Sequence, residues 1–283
     1  MAKQVKVYRY EPSLAAAIIF VVAFSLTSAL HTFQLSRTRT WFFIAFAVGG
    51  WFEVIGYVGR LVSVNQYPNT TKPPYVINIL FPLVAPALYS ASIYMALGRI
   101  FKITNGAKYS IIRPSWLTKI FVFGDVASFV IVGVGGSLVA TADTADKADK
   151  GELIVIVGLI VQLVFFSIFL LTALIFHFRI NKNPTEKVQV KHTVHYQKHL
   201  YILYLAGFLI LARSVFKLIE YIQGRDGYLF SKEWFAYVFD AAFMFFTMII
   251  FHIVHPSELN ALANGGGLVI YKLVLAKQLD VYE

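Results

Sequence analysis

Hydrophobic positions in this chain gather into seven long blocks separated by short polar stretches. The blocks cover approximately residues 13–34, 41–63, 77–101, 117–140, 153–178, 199–221 and 234–254. Each is about twenty residues or more, the length at which a helix crosses the hydrocarbon core of a bilayer. A bilayer supplies no water to backbone N–H and C=O groups, so the blocks are predicted to be helices. The fold class that follows is an all-α integral membrane protein, a seven-transmembrane-helix bundle. We divide the chain into an N-terminal tail (1–12), the helical domain (13–255) and a C-terminal tail (256–283). The first block starts at Leu14 and outruns a signal-peptide core, so it reads as an uncleaved span.

Polar residues break this pattern in three blocks, always at helical spacing. The sixth carries Arg213, Lys217 and Glu220 at i, i+4 and i+7, which share one helix face. The second carries Glu53, Tyr57 and Arg60, and the seventh Glu233, Tyr237 and Asp240, in the same arrangement. A charge at the centre of a lipid-facing helix costs roughly 2.5–3.5 kcal/mol. Such stripes are therefore expected to face protein or water. Four carboxylates against three cations at one predicted depth is close to the balance that a paired interior network needs. Two readings stay open: ion pairs that pin the helices in register, or a polar cavity facing the outer leaflet. Asp125 in the fourth block and Gln162 in the fifth are further polar residues, with Asp125 a candidate proton carrier.

Composition and charge agree with a membrane class. Of 283 residues 58% are hydrophobic and 14% charged, and the mean hydropathy is +0.67, whereas soluble domains carry about 25% charged residues. The net charge of +10 raises the question of nucleic acid, but the cations mostly flank apolar blocks. We expect no nucleic-acid partner. Fourteen Lys and Arg fall on the odd connections and the C-terminal tail, against nine on the N-terminal tail and even connections. The positive-inside rule then predicts the N-terminus outside and the C-terminus in the cytosol. Asn69-Thr70-Thr71 is a glycosylation sequon in a predicted outer connection.

Other chemistry is limited. The absence of cysteine excludes thiolate metal sites and cysteine nucleophiles. There is no P-loop, no G-x-S-x-G elbow, no lysine in the seventh block for a retinal, and no Asp-Arg-Tyr triplet. We expect no enzyme and no cofactor. His192, His195 and His199, and His252 with His255, have spacings compatible with a metal or a haem. Our reading is that they, with His31 and His177, belong to the basic inner rim. Gly49, Gly50, Gly56 and Gly59, and Gly133, Gly135 and Gly136, mark expected close helix contacts. Pro82 and Pro86 are expected to kink the third helix and free carbonyls. After Gly265-Gly266-Gly267 a 14-residue semi-apolar stretch, too short to span, is expected to lie at the inner surface.

With these motifs the chain resembles the fungal lipid-translocating exporter family, the RTA-like (resistance to aminocholesterol) proteins. The likeness rests on Glu53-x-x-Gly56-Tyr57-x-x-Arg60, Ala85-Pro86, Ala91-Ser-Ile-Tyr94, Gly98-Arg99, Phe123-x-Asp125 and Gly135-Gly136. It continues through Gly158-Leu159-x-x-Gln162, Arg213-x-x-Phe216-Lys217-x-x-Glu220-x-x-x-Gly224 and Glu233-x-x-x-Tyr237-x-Phe239-Asp240, about residues 10–257 in all. Lys217 stands where the family pattern leads us to expect arginine; the charge is kept and the forked donor geometry lost. The resemblance implies a fungal plasma-membrane protein that exports amphiphiles such as sphingoid bases and amino-sterols and confers resistance to them. A lipid-sensing receptor or regulator of membrane asymmetry, and a porphyrin or haem transporter, are the alternatives it leaves. Applied to these residues, Glu53, Glu220 and Asp240 would attract an ammonium head group, with Tyr57 and Tyr237 offering rings and hydroxyls. Arg60, Arg213 and Lys217 would hold the acids ionised or bind a phosphate.

Overall fold

The computed structural model describes residues 10–142, 144–190, 196–224, 227–271 and 275–279. Its main helices are α1 (Leu14–Thr38), α2 (Ile44–Asn65), α3 (Lys72–Ile103), α4 (Pro114–Thr141), α5 (Ala145–Lys182), α6 (Tyr196–Ile222) and α7 (Glu233–Ile253). All seven are long and apolar enough to cross a membrane. A shorter helix, α8 (Ser257–Ala263), and an antiparallel hairpin of β1 (Gly267–Tyr271) and β2 (Leu275–Leu279) follow. Consecutive spans pack side by side and α7 returns to α1, closing the ring. The third helix also touches α5 and α6, which gives it a central position.

The helix ends explain where the observed spans depart from the hydrophobic blocks. The fifth helix starts at Ala145, so most of the acidic connection around Asp146 and Asp149 is its first turns. Thr144 caps it by accepting from the Lys147 N–H, and Lys150 pairs with Asp146 one turn away at 2.7 Å. Hydropathy marks only the apolar middle of a helix, whereas caps and charge pairs extend it beyond.

Close approach of α2 and α3 is what brings the second span's stripe inward. A Cβ on Gly56 would stand 2.4 Å from the Pro82 ring, so any larger residue would push α3 away. The glycines of the fourth block divide. A Cβ on Gly135 would collide with the Gly151 carbonyl at 2.7 Å, so it sets the α4–α5 contact, whereas Gly133 meets nothing within 4 Å. The expectation for Gly133 therefore fails because it lies off the contacting face.

The segment after α7 is folded onto the bundle. Leu259, Val269 and Ile270 are buried, and Ser257 Oγ accepts from the Ile270 N–H at 3.2 Å. The hairpin packs on α8 and α1.

Candidate functional site

The three polar stripes meet. Helix α6 turns Val215, Ile219 and Ile222 outward while Arg213 (2% exposed) and Glu220 (4%) face the bundle interior. The apolar residues between the charges thus keep the lipid-facing side, as the spacing required. Arg213 donates from Nε to Asp240 Oδ1 at 2.5 Å and from Nη2 to the Pro82 carbonyl at 2.7 Å. Pro86 lacks the N–H that would otherwise take that carbonyl. The proline therefore supplies an acceptor to the charged site. Lys217 Nζ bridges Glu220 Oε2 and Asp240 Oδ2, each at 2.9 Å.

A second cluster lies toward the α7 N-terminus. Arg60 donates to the Tyr237 hydroxyl at 2.8 Å, to the Tyr10 hydroxyl at 3.0 Å and to Glu233 Oε1 at 2.8 Å. Glu233 in turn accepts from the Ser13 N–H at 3.0 Å, which ties the start of α1 to α7. The Tyr237 ring stacks on Phe20 at 5.3 Å, and Tyr57 packs between Phe20 and Phe24 at 5.5 and 5.2 Å. Aromatic rings thus separate the two charged clusters.

Glu53 is the exception to the pairing. It is 1% exposed, and its Oε1 has no hydrogen-bond partner. An unpartnered buried acceptor is costly, so a group of this kind calls for a role. Asp125 and Gln162 stand apart from the network, on α4 and α5. Asp125 is 3% exposed, and neither of its carboxyl oxygens nor the Tyr94 hydroxyl has a well-formed hydrogen bond. Asn69 is exposed in the α2–α3 connection.

One feature of the site has no counterpart in the hydrophobic pattern. Residues Ala236–Ala242 of α7 form a π-helical segment. Asp240 and Tyr237 both sit on it, so an i, i+4, i+7 face drawn for an ideal helix does not describe this stretch. Such segments recur at functional sites, where the wider turn re-aims side chains.

Three of the histidines do not belong to a rim. His31, His252 and His255 are 1%, 1% and 2% exposed, and the His31 and His252 rings stack at 3.6 Å. His31 Nε2 donates to the Met248 carbonyl at 3.1 Å, and His252 Nδ1 to Gln34 Oε1 at 2.8 Å. The reason is the helical period of α1, in which Phe24, Ser28, His31 and Leu35 share the buried face. His199 and Lys198 contact Glu258 at 3.1 and 3.2 Å. Beyond the spans, burial pushes His255 down to about 3, with His252 and His199 adding to it. Burial alone would raise Glu258, but His199 and Lys198 outweigh it and hold the carboxyl at about 2. His192 and His195 lie outside the described residues. Among the described residues no group of three or more His, Asp and Glu side chains is arranged to hold a metal ion.

Fold and site together define a seven-helix integral membrane protein with an interior ion-pair network built by α2, α6 and α7. The family described as RTA1 like protein matches residues 46–262. The chain belongs to that family. It is 33% identical to Protein RTA1 of Saccharomyces cerevisiae, over 89% of this chain and 85% of that one. It is 32% identical to Protoporphyrin uptake protein 1 of the same yeast, over 87% of this chain and 90% of the relative. With the yeast Sphingoid long-chain base transporter RSB1 the identity is 27%, over 87% and 72%. No solved structure matches the chain.

Proposed function

We propose that this protein binds amphiphilic lipids with a cationic head group, of the sphingoid-base and amino-sterol class, and moves them across the fungal plasma membrane. It catalyses no covalent reaction, and the movement underlies resistance to such compounds. The observation that carries this reading is Glu53, whose buried Oε1 is an acceptor awaiting a donor. An ammonium group brings three donors and a positive charge. Two relatives support the solute class by name, as a sphingoid long-chain base transporter and a protoporphyrin uptake protein.

The route we propose runs between α6 and α7. Phe216, Phe235 and Phe239 form stacked pairs there, Phe216 with Phe239 at 5.3 Å and Phe235 with Phe239 at 6.2 Å. Lys217 Nζ lies 5.8 Å from the Phe216 ring centre. The acyl chain rests on this aromatic wall while the head group displaces Lys217 from Asp240 and is received by Asp240, Glu220 and Glu53. Tyr57 and Tyr237 offer their hydroxyls to the head group. Arg60 and Arg213 pair with Glu233 and Asp240 when no lipid is bound. In the orientation we propose, residues 1–12 lie outside and 256–283 in the cytosol, which puts the network in the outer half of the bilayer.

The test uses purified protein in liposomes carrying a fluorescent sphingoid base. Glu53→Gln keeps the shape of the side chain, so its thermal unfolding should match wild type. A charged hydrogen bond is worth about 1.5–3 kcal/mol, so its rate of lipid movement should fall by about tenfold or more. Wild-type movement by a folded Glu53→Gln protein would sink the assignment. Saturable binding without movement would assign a lipid receptor instead. A porphyrin is the second solute class, and the same aromatic wall offers it a flat surface. The His31 and His252 rings, already stacked at 3.6 Å, leave no slot between them. A Soret shift lost in Phe239→Ala and kept in His252→Ala would place a porphyrin on the wall; the reverse result would place it at the histidines.

A further inference from the structure

At the opposite end of the bundle from Arg60, the C-terminal turns of α3, the start of α4 and the helix α8 enclose a cavity of about 320 Å³. Its polar lining includes Arg99, Lys102, Thr118, Asn260 and Asn264. Ligand pockets run from about 300 to 1,000 Å³, so this one suits a head group rather than a whole lipid. Arg99 lies flat over the Phe42 ring, 3.4 Å from its centre, and donates Nη1 to the Met95 carbonyl at 3.2 Å. That leaves its remaining N–H groups without an acceptor among the described residues. Neither Arg99 nor Lys102 pairs with a carboxylate there. The two asparagines add amide donors, and Asn264 spends one of its own on Asn260 Oδ1 at 3.4 Å. The remaining side-chain donors of Arg99 and Lys102 have no acceptor among the described residues.

Two features separate this cavity from a merely basic surface. Arg99 is held in place by the Phe42 ring beneath it, so its fork is preorganised. The wall opposite α8 is opened by Gly98, where an added Cβ would meet nothing within 4 Å. Gly98 lines the pocket, so a longer side chain there would enter it.

We propose that this cavity is a binding site for a phosphomonoester anion, held by the Arg99 fork and Lys102, with Thr118, Asn260 and Asn264 as neutral partners. Such an anion would join α3 and α4 to α8. It comes either as the head group of an anionic phospholipid in the adjoining leaflet or as a soluble phosphate ester. The site is separate from the α2–α6–α7 network and independent of what that network carries.

The experiment measures retention of dioleoyl phosphatidic acid against dioleoyl phosphatidylcholine on the detergent-purified full chain by native mass spectrometry. The phosphatidic acid should be preferred by about tenfold or more, since one charged hydrogen bond is worth about that factor. Arg99→Gln with Lys102→Gln should bring it down to the phosphatidylcholine level. Gly98→Leu keeps both charges and fills the cavity, and it should abolish the preference as well. Lys108→Gln removes a cation outside the cavity and should change nothing. Glycerol 3-phosphate at millimolar concentration distinguishes the sources. Displacement of the phospholipid supports the site with a soluble ester as sufficient ligand; retention supports it with the lipid as ligand. A Gly98→Leu protein that binds phosphatidic acid like wild type overturns the proposal, whatever the charge variant does. So does an equal loss in Lys108→Gln, because attraction to a diffuse basic surface would then account for the binding.

Discussion

Two polar clusters of the bundle handle positive charge in opposite ways. Around α2, α6 and α7, Arg60, Arg213 and Lys217 are mostly buried and each is bonded to at least one carboxylate contributed by α6 or α7. In the cleft formed by α3, α4 and α8, Arg99 and Lys102 have no carboxylate partner among the described residues. The difference follows from the surroundings. Inside the bundle an unpaired charge loses its hydration with nothing in return, so each of these cations sits beside a carboxylate. At the bundle end water and lipid head groups serve as partners, and a cation can stay open for a ligand. The paired region is thus closed by its own ions, and in the function we propose a lipid ammonium takes the place of one of them.

The largest test of this contrast is Asp240→Asn. It removes a carboxylate that holds both Arg213 and Lys217, and breaking a buried pair costs about 3–5 kcal/mol. We expect a large drop in thermal unfolding temperature in detergent. Adding Lys217→Met to it should recover part of the loss, because the remaining charges are again close to balance. A single Asp240→Asn protein as stable as wild type would show that the network is not under electrostatic constraint.

A smaller effect separates arginines of the same type in the two clusters. Arg60→Gln forfeits bonds to Tyr237, Tyr10 and Glu233 and should cost about 2–3 kcal/mol. Arg99→Gln loses one backbone contact and a ring face, and should cost less than about 1 kcal/mol. Equal losses in urea or thermal unfolding would erase the distinction between paired and open cations.

Much of this was legible in the chain. Charges inside apolar blocks are conspicuous, and their helical spacing correctly turned Arg213 and Glu220 toward Glu53's and Asp240's helices. The reason is that lipid tolerates no alternative. That Pro86 frees a carbonyl was legible too, but its consequence was not: that the freed Pro82 carbonyl goes to Arg213 depends on where α6 stands. The π segment around Asp240 left no compositional mark, because a wider turn is selected by packing of α7 rather than by residue type. His31 was misplaced for a different reason. Its distance from the end of the block suggested a rim, although Phe24, Ser28 and Leu35 at helical spacing already marked a buried face. The tail after Pro256 was opaque, since a helix and hairpin of this size are stabilised by the bundle they lie on.

The smallest effect lies beside the open end and concerns pH. His255 is buried, and its folded value is pushed down to about 3, against about 6.5 for an ordinary histidine. The unfolded chain therefore takes up a proton on this residue below about pH 6.5 while the folded chain does not. Stability is full above that value and declines as pH falls toward 3. At pH 5.5 the loss from this one group is about 1 kcal/mol relative to neutral pH. Glu258 works in a lower window: held at about 2, it contributes stability above its ordinary value of 4.5 and loses it only as pH falls further. Unfolding measured from pH 7 to 5.5 should thus become less pH-dependent in His255→Phe and keep its wild-type slope in Glu258→Gln. The opposite pairing of results would move the sensitivity from the histidine to the carboxylate, and would make the α8 contact rather than His255 the acid-labile part of this end.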